Sequence, residues 1–275
     1  MATSVSRPEA TATTRPGFAH LLAAEWTKIR SVRSTVWSLG LLVVSDLGLT
    51  ALFTWITVFD WAKSPPASHL ATRADPTGLI MGAGLSFSQL AICVLGVLVI
   101  ASEYSTGMIR ASLLAVPKRL PMLAAKAIVF AVLVFLLGVV VSFASFFLGA
   151  AFLHSEAPVA IGDPGVARAV LGAGLYLAVL GLFALAIGAI VRHSAAAITG
   201  VIAFVLVLTP LSQLLPGNIG KYVHAYLPAA AGQVIVEVRH GHYGPLGPWQ
   251  GLGIFCAWTA LLLIVAAITL ERRDA

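Results

Sequence analysis

Six long apolar runs leave this chain few ways to fold: Trp37 to Phe59, Leu79 to Ala101, Leu123 to Leu153, Val166 to Val191, Ala195 to Leu215 and Trp249 to Leu270. Crossing a bilayer as a helix takes roughly 20 mostly apolar residues, and every run reaches that length. Of the 275 residues, 59% are hydrophobic and only 10% charged, against about 25% charged in soluble domains. A water-soluble fold is excluded. The pattern predicts an all-α membrane protein with six transmembrane helices, and the connections are too short to hold a soluble catalytic domain.

The third run is overlong, so part of it must tilt or project beyond the hydrocarbon. Runs four and five meet at Arg192-His193-Ser194, which allows only a tight turn between antiparallel helices. Loop cations are retained on the cytoplasmic side. With the N-terminus inside, twelve of the 17 Lys and Arg residues fall on that side: Arg7, Arg15, Lys28, Arg30, Arg33, Arg110, Lys118, Arg119, Lys126, Arg192, Arg272 and Arg273. Lys63, Arg73, Arg168, Lys221 and Arg239 fall on the other. This predicts both termini in the cytoplasm, and it accounts for the formal charge of +6 without nucleic acid as a partner. Cys93 and Cys256 lie inside apolar runs, where they form neither a disulfide framework nor a metal motif.

Residues 1–17 are rich in Thr, Ser, Ala and Pro with no apolar core. They read as a disordered cytoplasmic tail and not as a cleavable signal peptide. In residues 18–35, Phe18, Leu21, Leu22, Trp26, Ile29 and Val32 recur at steps of three and four, the period of one helix face. Lys28, Arg30 and Arg33 add cations for lipid headgroups. The segment is expected to be an amphipathic interfacial helix, serving either as an anchor for the first span or also as a contact for a cytoplasmic partner. Residues 36–275 form the six-helix domain.

Between the second and third runs, a carboxylate (Glu103), a breaker (Gly107), a cation (Arg110), a short apolar stretch with Leu114, and Pro117-Lys118-Arg119 describe a compact elbow able to dock on another protein. This stretch, Glu103, Gly107, Arg110, Leu114, Pro117 and Arg119, resembles the cytoplasmic loop of the type-2 (ABC-2) permeases of ABC transporters. There an acidic residue, a glycine, a basic residue and a Leu-x-x-Pro-x-Arg-like ending follow the second span. Glu25-Trp26-Thr27-Lys28-Ile29-Arg30-Ser31 is similar to that family's entry helix. The resemblance covers nearly the whole chain from Phe18 onward. It implies a non-catalytic subunit in the cytoplasmic membrane of a bacterium, paired with a second permease chain, the same or different, and driven by a separate cytoplasmic ABC ATPase. It further implies that Glu103 to Arg119 is the coupling element, with Glu25, Trp26, Lys28 and Arg30 beside it. The chain has no Gly-x-x-x-x-Gly-Lys-Ser/Thr phosphate loop, so ATP and Mg would sit on the partner and no cofactor on this chain. The cargo class implied is an amphipathic or lipophilic compound moving outward.

The remaining polar features admit two readings each. Glu103 pairs with Arg110 or an entry-helix cation, or is a solvated loop carboxylate. Asp46 falls near the middle of the first run, where an unpaired charge costs about 2.5–3.5 kcal/mol or more. It is part of a gate or substrate path, or a buried carboxylate hydrogen-bonded to a neighbouring helix. Gly174, Gly181 and Gly188 recur every seven residues and read as a helix-packing stripe. The segment from Pro216 to Pro248 is expected to form short helices at or dipping into the outer face, and its Arg239-His240-Gly241-His242-Tyr243 tract is weak as a metal motif. A standalone secondary transporter or channel is the alternative function. It would call for inverted repeats, broken spans or several intramembrane charges; no repeat is evident, and Asp46 is the one such charge singled out. An intramembrane enzyme would need a clustered nucleophile or metal set, and neither HExxH nor Gly-x-Ser-x-Gly occurs.

Overall fold

The computed structural model describes residues 17–105, 119–238 and 245–272. Six helices are long and apolar enough to cross a membrane, and no strand occurs among the described residues. In chain order they are span 1 (Arg33–Phe59), span 2 (Pro76–Ser105), span 3 (Arg119–Leu153), span 4 (Val166–Val191), span 5 (Ser194–Ser212) and span 6 (Pro248–Arg272). This is a multi-pass membrane protein. The tail, the elbow residues Gly107, Arg110, Leu114 and Pro117, and the Arg239 to Tyr243 tract lie outside the described residues.

Every predicted run becomes a helix, and the first three begin three or four residues before the apolar run does. Local chemistry sets those starts. Asp75 caps span 2, its Oδ1 accepting the Gly78 N–H at 2.8 Å, with Pro76 in the first helical position, where a missing N–H costs nothing. Gln250 reaches back to the Gly247 N–H at 3.0 Å ahead of span 6. Span 3 has 35 residues, about 52 Å at 1.5 Å per residue, so it outruns a hydrocarbon core of about 30 Å. Span 5 departs from the expected helix. Pro210 has no N–H to offer one turn back, and the helix widens into a π-turn at Phe204–Leu208, with the Thr209 hydroxyl donating to the Phe204 carbonyl at 3.1 Å. It ends at Ser212, three residues short of the apolar run.

Span 4 is the hub. Two thirds of its most apolar stretch is buried, against about a fifth for spans 1 and 5 at the periphery. Its glycine stripe packs as expected. Gly174 lies against Val139 and the Phe135 carbonyl of span 3, Gly181 against Phe130 and Ile92, and Gly188 against Val97 and Ile100 of span 2. Backbones approach closely because nothing projects between them. Arg192 makes the span 4–5 turn in the left-handed conformation, φ 59°, and His193 caps span 5 by accepting the Ala196 N–H.

At one end of the bundle, Arg119 and Arg192 donate to the Leu270 and Thr269 carbonyls at the C-terminus of span 6, at 2.7 and 3.1 Å. Guanidinium groups there answer both the orphan carbonyls and the helix dipole. This basic face also carries the entry helix, Phe18–Ser31. The expected helix over 18–35 is broken at Val32, which is extended at φ −82°, ψ 114° and divides the entry helix from span 1.

On the opposite face, the long segment after span 5 folds into helices Gly217–Tyr226 and Pro228–Gln233 and a 3₁₀ turn Val234–Val236. The second helix and the turn are buried against spans 4 and 6. Gln233 reaches Gln89, halfway along span 2, at 3.1 Å. The segment therefore dips into the bundle, where irregular backbone is tolerated because protein surrounds it.

Candidate functional site

The entry helix does not lie on the bundle by its apolar stripe alone. Phe18, Trp26 and Arg30 point outward, while Glu25 and Ile29 are the residues it buries. A carboxylate in that position needs counter-charges, and the fold supplies two. Lys126, 2% exposed, donates to Glu25 Oε2 at 2.6 Å and to Glu103 Oε1 at 2.8 Å. Lys28 donates to Glu25 Oε1 at 2.7 Å and to Glu103 Oε1 at 3.1 Å. Two carboxylates and two ammonium groups close a ring that joins the entry helix, the end of span 2 and the start of span 3.

The ring is balanced in charge, which is what allows it to be buried. Burial alone would lower the pKa of Lys28, but the hydrogen bonds and charges of Glu25 and Glu103 outweigh it and the pKa is raised. Glu103 Oε2 is buried and accepts no hydrogen bond from the described residues. Beside the ring lies a cavity of about 320 Å³, walled by Ile29, Val32, Leu98 and Val99. Mechanically the ring is a clasp: a displacement of the entry helix or of the segment leaving span 2 pulls directly on span 3.

Of the residues predicted from sequence, Glu103 of the coupling set and Glu25 and Lys28 of the interfacial helix meet in this clasp. Glu103 takes the entry-helix cation, one of its two expected partners, and is not a solvated carboxylate. Arg119 instead caps span 6, and Trp26 and Arg30 remain at the surface. Lys126 is the residue sequence reasoning passed over, counted only as an orientation signal. A lysine inside the third apolar run was itself the available clue, since ionisable groups in spans are costly and seek partners.

Asp46 is placed elsewhere. Its Oδ2 accepts the Ser88 hydroxyl at 2.6 Å, and its Oδ1 forms a short hydrogen bond with Ser145. The carboxylate thus ties span 1 to spans 2 and 3, as in its buried reading, and it borders neither this cavity nor the smaller one described below.

A second polar group lies deeper. Tyr176 of span 4, fully buried, donates to Gln89 Oε1 at 2.9 Å, and Gln233 donates to both, at 3.1 and 3.3 Å. Among the described residues no group of three or more His, Cys, Asp or Glu side chains could hold a metal ion. Compared with known proteins, the chain matches no family model and no curated sequence.

Proposed function

We propose that this chain is the membrane-spanning permease subunit of an ATP-driven exporter of the ABC-2 type, forming the path for an amphipathic or lipophilic compound. Its basic face would be cytoplasmic, in the plasma membrane of a bacterium, with a second permease chain beside it and an ABC ATPase docked below. The observation that carries this reading is the clasp. A machine whose engine is a separate soluble protein needs a rigid element at the membrane surface joined directly to spans. Glu25, Lys28, Glu103 and Lys126 lock the entry helix to the two spans that flank the elbow resembling the family's coupling loop. The ring spreads its charge over four groups and lets the three elements move as one body.

The test is co-expression with an ABC ATPase encoded beside the chain. The two are expected to co-purify, and ATP-dependent transport in proteoliposomes is expected to need both. Replacing Glu103 by Gln should weaken coupling while leaving six-span insertion intact. Uphill transport by the chain alone would overturn the proposal.

A further inference from the structure

A second cavity, about 150 Å³, opens on the opposite face between span 2 and the re-entrant segment. Asp75 and Glu237 stand at its mouth, Met81 and Val236 wall it, and Gln89 and Gln233 form its floor. Span 2 runs along one side, and Gly82 gives the cavity room: a Cβ built there meets nothing within 4 Å.

The floor is incompletely satisfied. Gln89 is 6% exposed, and its Oε1 takes the hydrogens of Tyr176 and Gln233. Its own Nε2 donates to nothing among the described residues, and Gln233 Oε1 likewise accepts nothing. Both residues line the cavity, so a donor and an acceptor that have no partner among the described residues border it. A ligand hydroxyl or amide would answer both.

The mouth carries two carboxylates, Asp75 and Glu237, offset in part by the Arg168 guanidinium beside Glu237. Asp75 uses one oxygen to cap span 2 and keeps the other. Among the described residues the Glu237 carboxylate accepts no hydrogen bond, and Arg168 spends its N–H groups on the Ile235 and Glu237 carbonyls at 2.7 and 2.8 Å. Burial, with the Asp75 charge added, pushes Glu237 up to about 7 despite Arg168. Two carboxylates without a third ligating group make a poor divalent-metal site, but they suit an ammonium.

We propose that this cavity binds a small primary-ammonium compound, with its charge between Asp75 and Glu237, its apolar body against Met81 and Val236, and a hydroxyl or amide on the Gln89–Gln233 floor. Pockets for drug-sized molecules start at about 300 Å³. The ligand is therefore small, or is the ammonium end of something longer. The site lies within one chain and stands whether or not an ATPase drives it. The ammonium comes either from a soluble amine or from an ethanolamine headgroup.

The test uses the full-length chain in phosphatidylcholine nanodiscs, titrated calorimetrically with tyramine and with its uncharged counterpart tyrosol. Saturable tyramine binding is expected, with tyrosol weaker by about tenfold or more. Glu237→Gln should weaken tyramine by about tenfold, and Gly82→Leu should abolish binding, with helical content unchanged by circular dichroism. Adding phosphatidylethanolamine assigns the source: lost tyramine affinity means a headgroup occupies the site, and unchanged affinity means a soluble amine does. Absence of saturable tyramine binding by the folded protein would overturn the proposal, as would equal binding of tyrosol or unaltered affinity in both variants.

Discussion

Lys126→Met removes the centre of the clasp while keeping its volume. Lys126 is bonded to Glu25 at 2.6 Å and Glu103 at 2.8 Å, with its own side chain 2% exposed and the carboxylates 4% and 7%. Removing one partner of a buried ion pair costs about 3–5 kcal/mol, because the surviving charge remains buried. Here two carboxylates would survive with only Lys28 between them, and Lys28 is 31% exposed and partly screened. A loss of about 3 kcal/mol or more is therefore expected in unfolding free energy, measured by SDS titration in mild detergent. The double variant Lys126→Met with Glu103→Gln removes one charge of each sign and leaves the Glu25–Lys28 pair intact. It should be more stable than the sum of the single losses predicts, by about 0.5–3 kcal/mol, the usual coupling of directly bonded groups. If Lys126→Met cost under about 1 kcal/mol, the range of an exposed pair, or if the two changes were additive, the clasp would not be a buried network.

Further expectations concern the rest of the bundle. A Cβ on Gly96 would stand 2.5 Å from the Gly181 carbonyl and 2.9 Å from Ala184 Cβ, so Gly96→Leu should force spans 2 and 4 apart and lower thermal stability sharply, whereas Gly40→Leu, with open space around it, should not. Asp46→Asn keeps an acceptor for one serine and should be tolerated, while Asp46→Ala strands both hydroxyls at about 1–3 kcal/mol; equal losses in SDS titration would contradict the bridging role. Tyramine affinity should fall as pH drops through about 7, because the raised Glu237 carboxyl is protonated and uncharged below that value and charged above it, with Asp75 and Arg168 as the charged groups beside it. A profile flat from about pH 5.5 to about pH 8.5 would exclude Glu237 as the counter-ion.

The fold was largely legible because hydropathy needs no tertiary information: each span is a long apolar run. The glycine stripe was legible for a related reason, since its period survives in the sequence. What escaped depends on which helices touch. Periodicity marked the apolar stripe that contains Trp26 but gave no sign that Glu25, one position away, is buried, because its counter-charge Lys126 lies 101 residues later. The Gln89–Tyr176–Gln233 floor escaped because its members lie 57 to 144 residues apart and none carries charge. The re-entrant dip was readable as short helices, but its depth was not, because the apolar stretch from Pro228 to Val236 is too short to signal a span.

On the function proposed above, this chain moves its cargo only when a separate ATPase acts through the clasp. The most direct measurement is cargo uptake into inverted proteoliposomes containing the chain, with and without a co-expressed ABC ATPase, in wild type and Lys126→Met. ATP-dependent uptake is expected with both proteins present and none with the chain alone. In the Lys126→Met variant, ATPase binding should be retained while hydrolysis is uncoupled from uptake. Concentrative uptake by the chain alone, or coupling undiminished by loss of Lys126, would contradict it.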